Sequence, residues 1–114
     1  RRVIWRQGDL IEVSFDPTVG HEPMKRRPAL VASADDFNLR SSLTVVVPIS
    51  TRVNGYPLHI PLEPHEDDGG VRGVACVEQV RTLDLERRRA QRLGAAHPES
   101  MTAVLEALRA TFGV

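Results

Sequence analysis

The chain has 114 residues, and its 15 basic and 15 acidic side chains give a formal net charge of zero at pH 7. With 41% hydrophobic and 26% charged residues, it falls outside the disordered and fibrous classes, and we expect one domain over residues 1–114. The charge balance excludes a uniformly basic nucleic-acid binder, although it leaves room for a local basic patch.

The single cysteine, Cys76, excludes an intrachain disulfide and lies in an apolar run typical of a small buried side chain. One cysteine and four scattered histidines do not form a zinc-site pattern, so we expect neither metal nor cofactor. No apolar stretch approaches the roughly 20 residues that cross a bilayer, and no signal-peptide pattern opens the sequence. We therefore expect a cytoplasmic protein.

Short strands separated by polar turns are predicted for the first half of the chain. In order, we predict a strand at 11–15, a turn at 16–20, a loop at 21–27, a buried strand at 29–32, a loop at 35–42 and a central strand at 43–49. The central strand is the richest in β-branched residues. Because proline lacks an amide hydrogen, this strand is expected to bulge or end near Pro48.

The second half continues the strand pattern and then changes period. We predict a loop at 50–56 with a hairpin-type Asn54-Gly55 turn, a strand at 58–62, an acidic loop at 63–70, a strand at 71–80, a helical turn at 83–88 with Asp84 as its N-cap, and a strand at 90–93. Residues 97–111 have the 3.6-residue spacing of an amphipathic helix. The predicted fold is mainly β (α+β), a small barrel or strongly bent sheet covered by that C-terminal helix.

Two polar segments follow or precede buried strands. Lys25, Arg26 and Arg27 form a run of cations, which most often lies on a solvated loop, but Arg27 directly precedes Pro28 and is thereby restricted to extended conformations suited to binding an oxyanion. The hydroxyls of Ser50 and Thr51, followed by Arg52, could bind a phosphate, although stabilising a turn is the commoner role of such a pair.

Three further features of the sequence are candidates for function. Glu78, Gln79 and Arg81 follow an apolar strand, where the glutamate is a base or, more commonly, an ion-pair partner. The arginines of segment 86–92 form an exposed turn or a patch that faces RNA or an acidic partner. Among the aromatic residues, Phe15 and Phe112 fit the core pattern, whereas the loop residues available to stack on bases are Trp5, Phe37 and Tyr56.

Four motifs, in order across nearly the whole chain, resemble those of the MazF/PemK family of toxin endoribonucleases. They are Gly8-Asp9-Leu10-Ile11 with Phe15-Asp16-Pro17-Thr18-Val19-Gly20-His21-Glu22, then Arg27-Pro28-Ala29-Leu30-Val31, then Val47-Pro48-Ile49-Ser50-Thr51 with Gly55-Tyr56-Pro57, and finally Glu78-Gln79-Val80-Arg81-Thr82-Leu83-Asp84. The resemblance implies an SH3-like β-barrel of the PemK/CcdB type and a homodimer. It also implies sequence-specific, metal-independent cleavage of single-stranded RNA (mRNA, rRNA or tRNA) and neutralisation by a cognate MazE-like antitoxin.

The resemblance also assigns roles. The family's catalytic arginine corresponds to Arg27, and its threonine to Ser50, with Thr51 adjacent; both hydroxyls remain candidates. The PemK branch adds a histidine and an acid that correspond to His21 and Glu78, whereas Cys76 stands where that branch has an arginine.

In the implied reaction the ribose 2′-hydroxyl attacks the phosphate, which explains selectivity for RNA over DNA. Arg27 would stabilise the phosphorane charge, Glu78 would act as base, and His21 as acid or phosphate ligand. The expected RNA contacts are Lys25, Arg26, Phe37, Arg52, Tyr56, Gln79 and Arg81.

Two alternatives remain open at this point. A CcdB-like toxin would share the fold but poison DNA gyrase without cleaving RNA, and the presence of Arg27 and the two hydroxyls argues against it. The second alternative is an inactive family member that only binds an antitoxin.

Overall fold

The computed structural model describes residues 3–15 and 26–114. The predicted turn at 16–20 and most of the predicted loop at 21–27, including His21 and Lys25, lie outside this part of the chain. The described residues form seven strands and two helices: β1 (Asp9–Ser14), β2 (Arg26–Val31), α1 (Asp35–Arg40), β3 (Thr44–Ser50), β4 (His59–Pro61), β5 (Val74–Cys76), β6 (Arg81–Leu83), β7 (Gln91–Ala95) and α2 (Pro98–Phe112).

The strands form an antiparallel sheet in which β3 contacts the most partners. The sheet order is β4-β5-β3-β2-β1-β7, and β6 also pairs with β3. One edge of β3 pairs with β2, while its other edge pairs first with β6 over residues 44–46 and then with β5 over residues 49–50. The prediction of β3 as the central strand is confirmed.

The expectation that β3 bulges or ends near Pro48 is confirmed in its second form, because the strand ends at Ser50, two residues later. The strand continues through Pro48 to Ser50, and Pro48 pairs with Ala29 of β2. On the opposite edge, residues 47 and 48 lie between the stretches that pair with β6 and with β5. The ladder is already interrupted there, which accommodates a residue without an amide hydrogen.

Strands β1, β2 and β3 are buried on both faces, which explains their nearly continuous apolar sequences. On one face Leu10, Leu30 and Val47 pack with Met101 and Val104 of α2. On the other face a second core includes the side chains Trp5, Ile11, Val13, Val31, Val46, Leu83 and Leu85. The prediction of a mainly β fold covered by a C-terminal helix is confirmed.

Helix α2 begins and ends where the sequence predicts. The Nδ1 atom of His97 accepts a hydrogen bond from the Glu99 amide at 3.0 Å, and Gly113 ends the helix in the left-handed conformation with φ 72°. Burial decreases along the helix, from Met101 and Val104 to the last turn. The placement of Phe112 in the core is therefore wrong, because its side chain is 69% exposed.

The predicted loop at 35–42 is wrong, because residues 35–40 form α1. Asp35 in its first turn and Arg40 in its last complement the helix dipole. Asn38 is buried and donates hydrogen bonds to the carbonyl oxygens of Trp5 and Ser33. A polar composition concealed a helix that tertiary hydrogen bonds stabilise.

The predicted strand at 71–80 is also wrong in extent. Only Val74–Cys76 is strand, and a single 3-10 turn at Val77–Gln79 separates it from β6. Both β5 and β6 run antiparallel to the same edge of β3, but in different registers: Val74 pairs with Ser50, whereas Arg81 pairs with Val46, and the extra residues between them form the turn. A continuous strand could not make both pairings.

Smaller corrections concern three connections. Strand β2 begins at Arg26, inside the predicted loop. The Asn54-Gly55 turn does not join a hairpin, because β5 lies between β3 and β4. Residues 85–89 form a turn and not a helix, although Asp84 does cap it by accepting a hydrogen bond from the Arg87 amide at 3.0 Å.

Gly73 provides a test of how closely β5 must approach β3. Its φ is +133°, and a Cβ atom there would collide with the carbonyl oxygen of Ser50, whereas Gly70 has φ +79° with open space around it. Gly73→Ala should therefore lower the free energy of unfolding by about 2–4 kcal/mol, against about 1 kcal/mol for the control Gly70→Ala. Urea denaturation of both variants measures the difference, and equal losses would contradict the close approach.

Candidate functional site

A surface cavity of about 550 Å³ opens where β2 begins and β3 ends. The antiparallel register pairs Ala29 with Pro48, and two further steps along each strand bring Arg27 and Ser50 to facing positions. The cavity is lined by Arg27, Pro28, Pro48, Ile49, Ser50, Thr51, Arg52, Asn54, His59, Cys76 and Gln79. Residues from the second, third and fourth sequence motifs thus meet at one place.

The neighbouring arginines at the start of β2 have different environments because successive strand residues point to opposite faces. Arg26 is mostly buried and donates hydrogen bonds to the carbonyl oxygens of Glu12, Arg88 and Arg89. Arg27 is exposed at the cavity, and within residues 3–15 and 26–114 its guanidinium has no hydrogen bond or ion pair. Arg27 therefore has its donors available for a ligand.

The end of β3 presents two hydroxyls that differ in how firmly they are held. Ser50 is half-buried, and its Oγ accepts a hydrogen bond from the backbone amide of Arg52 at 3.0 Å. That bond leaves the Ser50 hydroxyl proton free to donate. Thr51 lines the same cavity but is exposed. Of the two, Ser50 has the better fixed position.

The cavity favours an anion. Arg27 and Arg52 both line it, and no aspartate or glutamate is among its lining residues. Within the described part of the chain, neither guanidinium makes a hydrogen bond or an ion pair. Two uncompensated guanidiniums beside hydroxyl donors are suited to phosphate oxygens, which accept hydrogen bonds from a planar fork.

A histidine that the sequence analysis did not single out completes the site. His59 of β4 lines the cavity, and its Nε2 lies 2.8 Å from Oε2 of Glu78 in the 3-10 turn. The His59 side chain is only 10% exposed. Gln79, also a lining residue, donates a longer hydrogen bond of 3.3 Å to the same carboxylate oxygen.

The surroundings of Glu78 keep its carboxylate ionised. Burial raises the pKa of Glu78, but the hydrogen bond from His59, a backbone hydrogen bond, the charge of His59 and the hydrogen bond from Gln79 together lower it below its ordinary value. For Cys76, burial and then the Glu78 charge raise the pKa of the thiol. Cys76 is therefore a buried apolar side chain, as predicted, and not an activated nucleophile.

No local pattern in the sequence links His59 with Glu78. The two residues are 19 positions apart, and they meet because β4 pairs with β5 with His59 opposite Cys76. Alternation places His59 on the other face from Leu58 and Ile60. From the sequence, alternation could have indicated the face on which His59 lies, but it could not have indicated that Glu78 is its partner.

Tyr56 is the one stacking candidate that the structure brings near the cavity. It is 45% exposed, and its ring meets the His59 ring edge-on with centroids 5.0 Å apart. Trp5 is buried in the second core, so its interpretation as a stacking residue is wrong. Phe37 lies on α1, before the start of β3, at the opposite end of that strand from the cavity.

Three predicted RNA contacts are not brought to the cavity. Arg26 binds backbone carbonyls, Phe37 lies at the far end of β3, and the Arg81 guanidinium lies 5.0 Å from the ring centre of Phe15. These placements give Arg26 and Arg81 partners within the fold. The remaining candidates, His21 and Lys25, lie outside the described residues.

Two properties of the described residues bear on other functions. They contain no group of three or more His, Cys, Asp or Glu side chains that could hold a metal ion. None of their helices is long and apolar enough to cross a membrane.

The different environments of Arg26 and Arg27 predict that replacing them with alanine has effects of different size on stability. Arg26→Ala should lower the free energy of unfolding by about 1.5–3 kcal/mol, because it removes charged hydrogen bonds that join β2 to β1 and to the 85–89 turn. Arg27→Ala should change it by less than about 0.5 kcal/mol. Chemical denaturation of both variants checks this contrast, and a comparable loss for Arg27→Ala would show that its side chain supports the fold.

Comparison with known proteins identifies the family of the chain. A family model described as "PemK-like, MazF-like toxin of type II toxin-antitoxin system" matches residues 6–112. The endoribonuclease toxin MazF of Escherichia coli (strain K12) is 34% identical over 98% of this chain and 97% of its own length. The endoribonuclease toxin ChpB of the same strain is 40% identical over 93% of this chain and 92% of its own.

Solved structures agree in fold as well as sequence. A crystal structure of MazF (Form-I) from Deinococcus radiodurans superimposes with a TM-score of 0.83 and 34% identity, covering 99% of this chain and 100% of that one. A MazE-MazF complex (Form-II) from the same organism gives a TM-score of 0.82 at 30% identity, covering 99% of each chain. The predicted fold class is thereby confirmed, and the chain belongs to the PemK-like, MazF-like toxin family of type II toxin–antitoxin systems.

Proposed function

We propose that this protein is an endoribonuclease toxin that cleaves single-stranded RNA at specific sequences and is neutralised by a cognate MazE-like antitoxin. The observation that carries the proposal is the cavity in which the unengaged guanidiniums of Arg27 and Arg52 meet the hydroxyls of Ser50 and Thr51. Relatives that align over nearly the whole chain are named endoribonucleases, which supports the same conclusion.

The proposed chemistry is transfer of the phosphate within the RNA strand. The ribose 2′-oxygen forms a bond to phosphorus, the bond from phosphorus to the 5′-oxygen breaks, and a 2′,3′-cyclic phosphate and a 5′-hydroxyl result. The pentacoordinate intermediate carries extra negative charge on its oxygens, and donors placed there in advance lower the barrier. Arg27 supplies these donors, because a guanidinium keeps its charge and its planar fork matches two phosphate oxygens.

The hydroxyl that assists Arg27 is proposed to be that of Ser50. The hydrogen bond from the Arg52 amide fixes its oxygen, so its proton can be directed to the phosphate without further loss of side-chain freedom. Thr51, being exposed, would contact the RNA backbone next to the scissile bond. Arg52, Tyr56 and Gln79 surround the same opening and are proposed to bind the flanking nucleotides.

The remaining expectations are carried forward as proposals. Crystal structures of MazE-MazF complexes exist for a relative at 30% identity, which supports neutralisation by an antitoxin here. A homodimer, a cytoplasmic location, a reaction without metal and a role for His21 in proton transfer stay predictions. The CcdB-like alternative is not favoured, because the family model and the relatives named above are of the MazF and PemK type.

Removal of the Arg27 guanidinium should abolish cleavage. The purified protein should cut single-stranded RNA in the presence of EDTA, and Arg27→Ala should lower the single-turnover rate by about 10²–10³-fold or more, because it removes the main donor to the phosphorane. Gel analysis of a labelled RNA, with sequencing of its new 5′-ends, measures the activity and identifies the recognition sequence.

The matched control for this variant is Arg109→Ala, which removes an exposed arginine from the last turn of α2, outside the cavity. It should cleave like the wild type. Intact RNA with the wild-type protein, together with growth arrest that follows gyrase inhibition, would replace this proposal with the CcdB-like alternative.

The two hydroxyls at the end of β3 can be distinguished by substitution. Ser50→Ala should lower the cleavage rate by about 10-fold to 100-fold with little change in RNA affinity, because it removes a donor that acts mainly in the transition state. Thr51→Val should mainly weaken binding of RNA. Rates and dissociation constants for both variants test the assignment, and the reverse pattern would transfer the catalytic role to Thr51.

A further inference from the structure

The proposed reaction needs a group that takes the proton from the 2′-hydroxyl, and the described part of the site offers two neighbouring ones. Glu78 was predicted from the sequence, and His59 was found in the structure. Their side chains form a pair through Nε2 and Oε2 at 2.8 Å. Because a pair of this kind usually acts as a unit, the question is which member meets the substrate.

The geometry favours the histidine as the member that faces the substrate. His59 lines the cavity together with Arg27 and Ser50, whereas Glu78, in the 3-10 turn, is absent from the lining. The carboxylate already accepts hydrogen bonds from His59 and Gln79. Glu78 is therefore engaged by its neighbours in the fold.

The hydrogen bond to Glu78 also sets the state of the imidazole. A carboxylate only accepts hydrogen bonds, so Nε2 of His59 carries the proton and Nδ1 of the neutral ring carries the lone pair. That Nδ1 atom is buried and has no hydrogen-bond partner among the described residues. A buried lone pair without a donor is costly, and a small displacement of the imidazole that brings Nδ1 to a bound hydroxyl would relieve the cost.

We propose that His59 takes the proton from the attacking 2′-hydroxyl, and that Glu78 is a positioning residue that holds the imidazole by its Nε2 proton. The inference rests on the proposed ribonuclease function. The 2′-oxygen bonds to phosphorus as its proton passes to Nδ1, the bond from phosphorus to the 5′-oxygen breaks, and the leaving oxygen takes a proton from water. The imidazolium that forms is then stabilised by the negative charge of Glu78.

The acid–base properties of the two groups are consistent with this division of roles. The hydrogen bonds to Glu78 keep the pKa of its carboxyl below the ordinary value, which makes the carboxylate a weaker base. Histidine, by contrast, is the residue type that exchanges protons most readily between pH 5 and 8. The titratable and charged groups around the imidazole are Glu78 at Nε2, Cys76 opposite it in β5, Tyr56 against its ring, and Arg27 and Arg52 in the same cavity.

The test compares His59→Gln and Glu78→Gln over a range of pH. Single-turnover cleavage by the wild type should fall at acidic pH, as the base becomes protonated. His59→Gln should lower the rate by about 10²–10⁴-fold, and its rate should no longer fall at acidic pH. Glu78→Gln should lose less rate, and its rate should still fall at acidic pH.

Two controls separate proton transfer from a purely structural effect. Affinity for a 2′-O-methyl copy of the RNA, which has no nucleophile, should be the same for His59→Gln and the wild type. His65→Gln removes an imidazole outside the cavity and should leave the rate unchanged. If His59→Gln unfolds, His59→Ala with added imidazole replaces it, and recovery of the rate would support the role.

Several results would overturn the assignment. His59→Gln could cleave as fast as the wild type at every pH, or lose affinity for the 2′-O-methyl RNA by the same factor as it loses rate. A decrease in rate at acidic pH that persists in His59→Gln and disappears in Glu78→Gln would make Glu78 the base. In each case the wild type still cleaves RNA, whereas a wild type that leaves RNA intact overturns the proposed function and the inference with it.

Discussion

The antiparallel pairing of β2 with β3 is the constraint on which the rest of the structure depends. Its register brings the first residues of β2 and the last residues of β3 to the same edge of the sheet. The middle of both strands is buried on both faces and rigidly packed, so the ends are held firmly although they are exposed. Arg27 and Ser50 thus obtain a fixed geometry from apolar residues that take no part in chemistry.

The same strands separate structural from functional arginines. Alternation along β2 gives Arg26 to the fold and Arg27 to the cavity, one residue apart. The neutral total charge is compatible with RNA binding because two guanidiniums at the cavity, those of Arg27 and Arg52, have no acidic partner among the described residues. Other arginines are engaged within the fold, as Arg72 is with Asp68 and Arg92 with Asp9. Placement of the charge, and not its sum, determines the electrostatic character of the site.

The sequence predicted the elements whose signals are local. Strands β1 and β3 and helix α2 follow from alternation, β-branched composition and 3.6-residue spacing. Local signals failed where long-range contacts decide the conformation. Asn38 stabilises α1 through hydrogen bonds to the carbonyl oxygens of Trp5 and Ser33. Residues 77–79 form a turn because the strands on either side of them pair with β3 in different registers. Neither effect is visible in a short window of sequence.

By itself the sequence determined the fold class and the family, and it predicted Arg27 and the Ser50-Thr51 pair as site residues, because each lies in a contiguous motif. Only the tertiary structure decided which residues meet. The pairing of β4 with β5 brings His59 into contact with Glu78, 19 positions away. Arg26, Phe37 and Arg81 lie outside the cavity. The reason is physical: a motif specifies the chemistry of a side chain, whereas register and packing specify its neighbours.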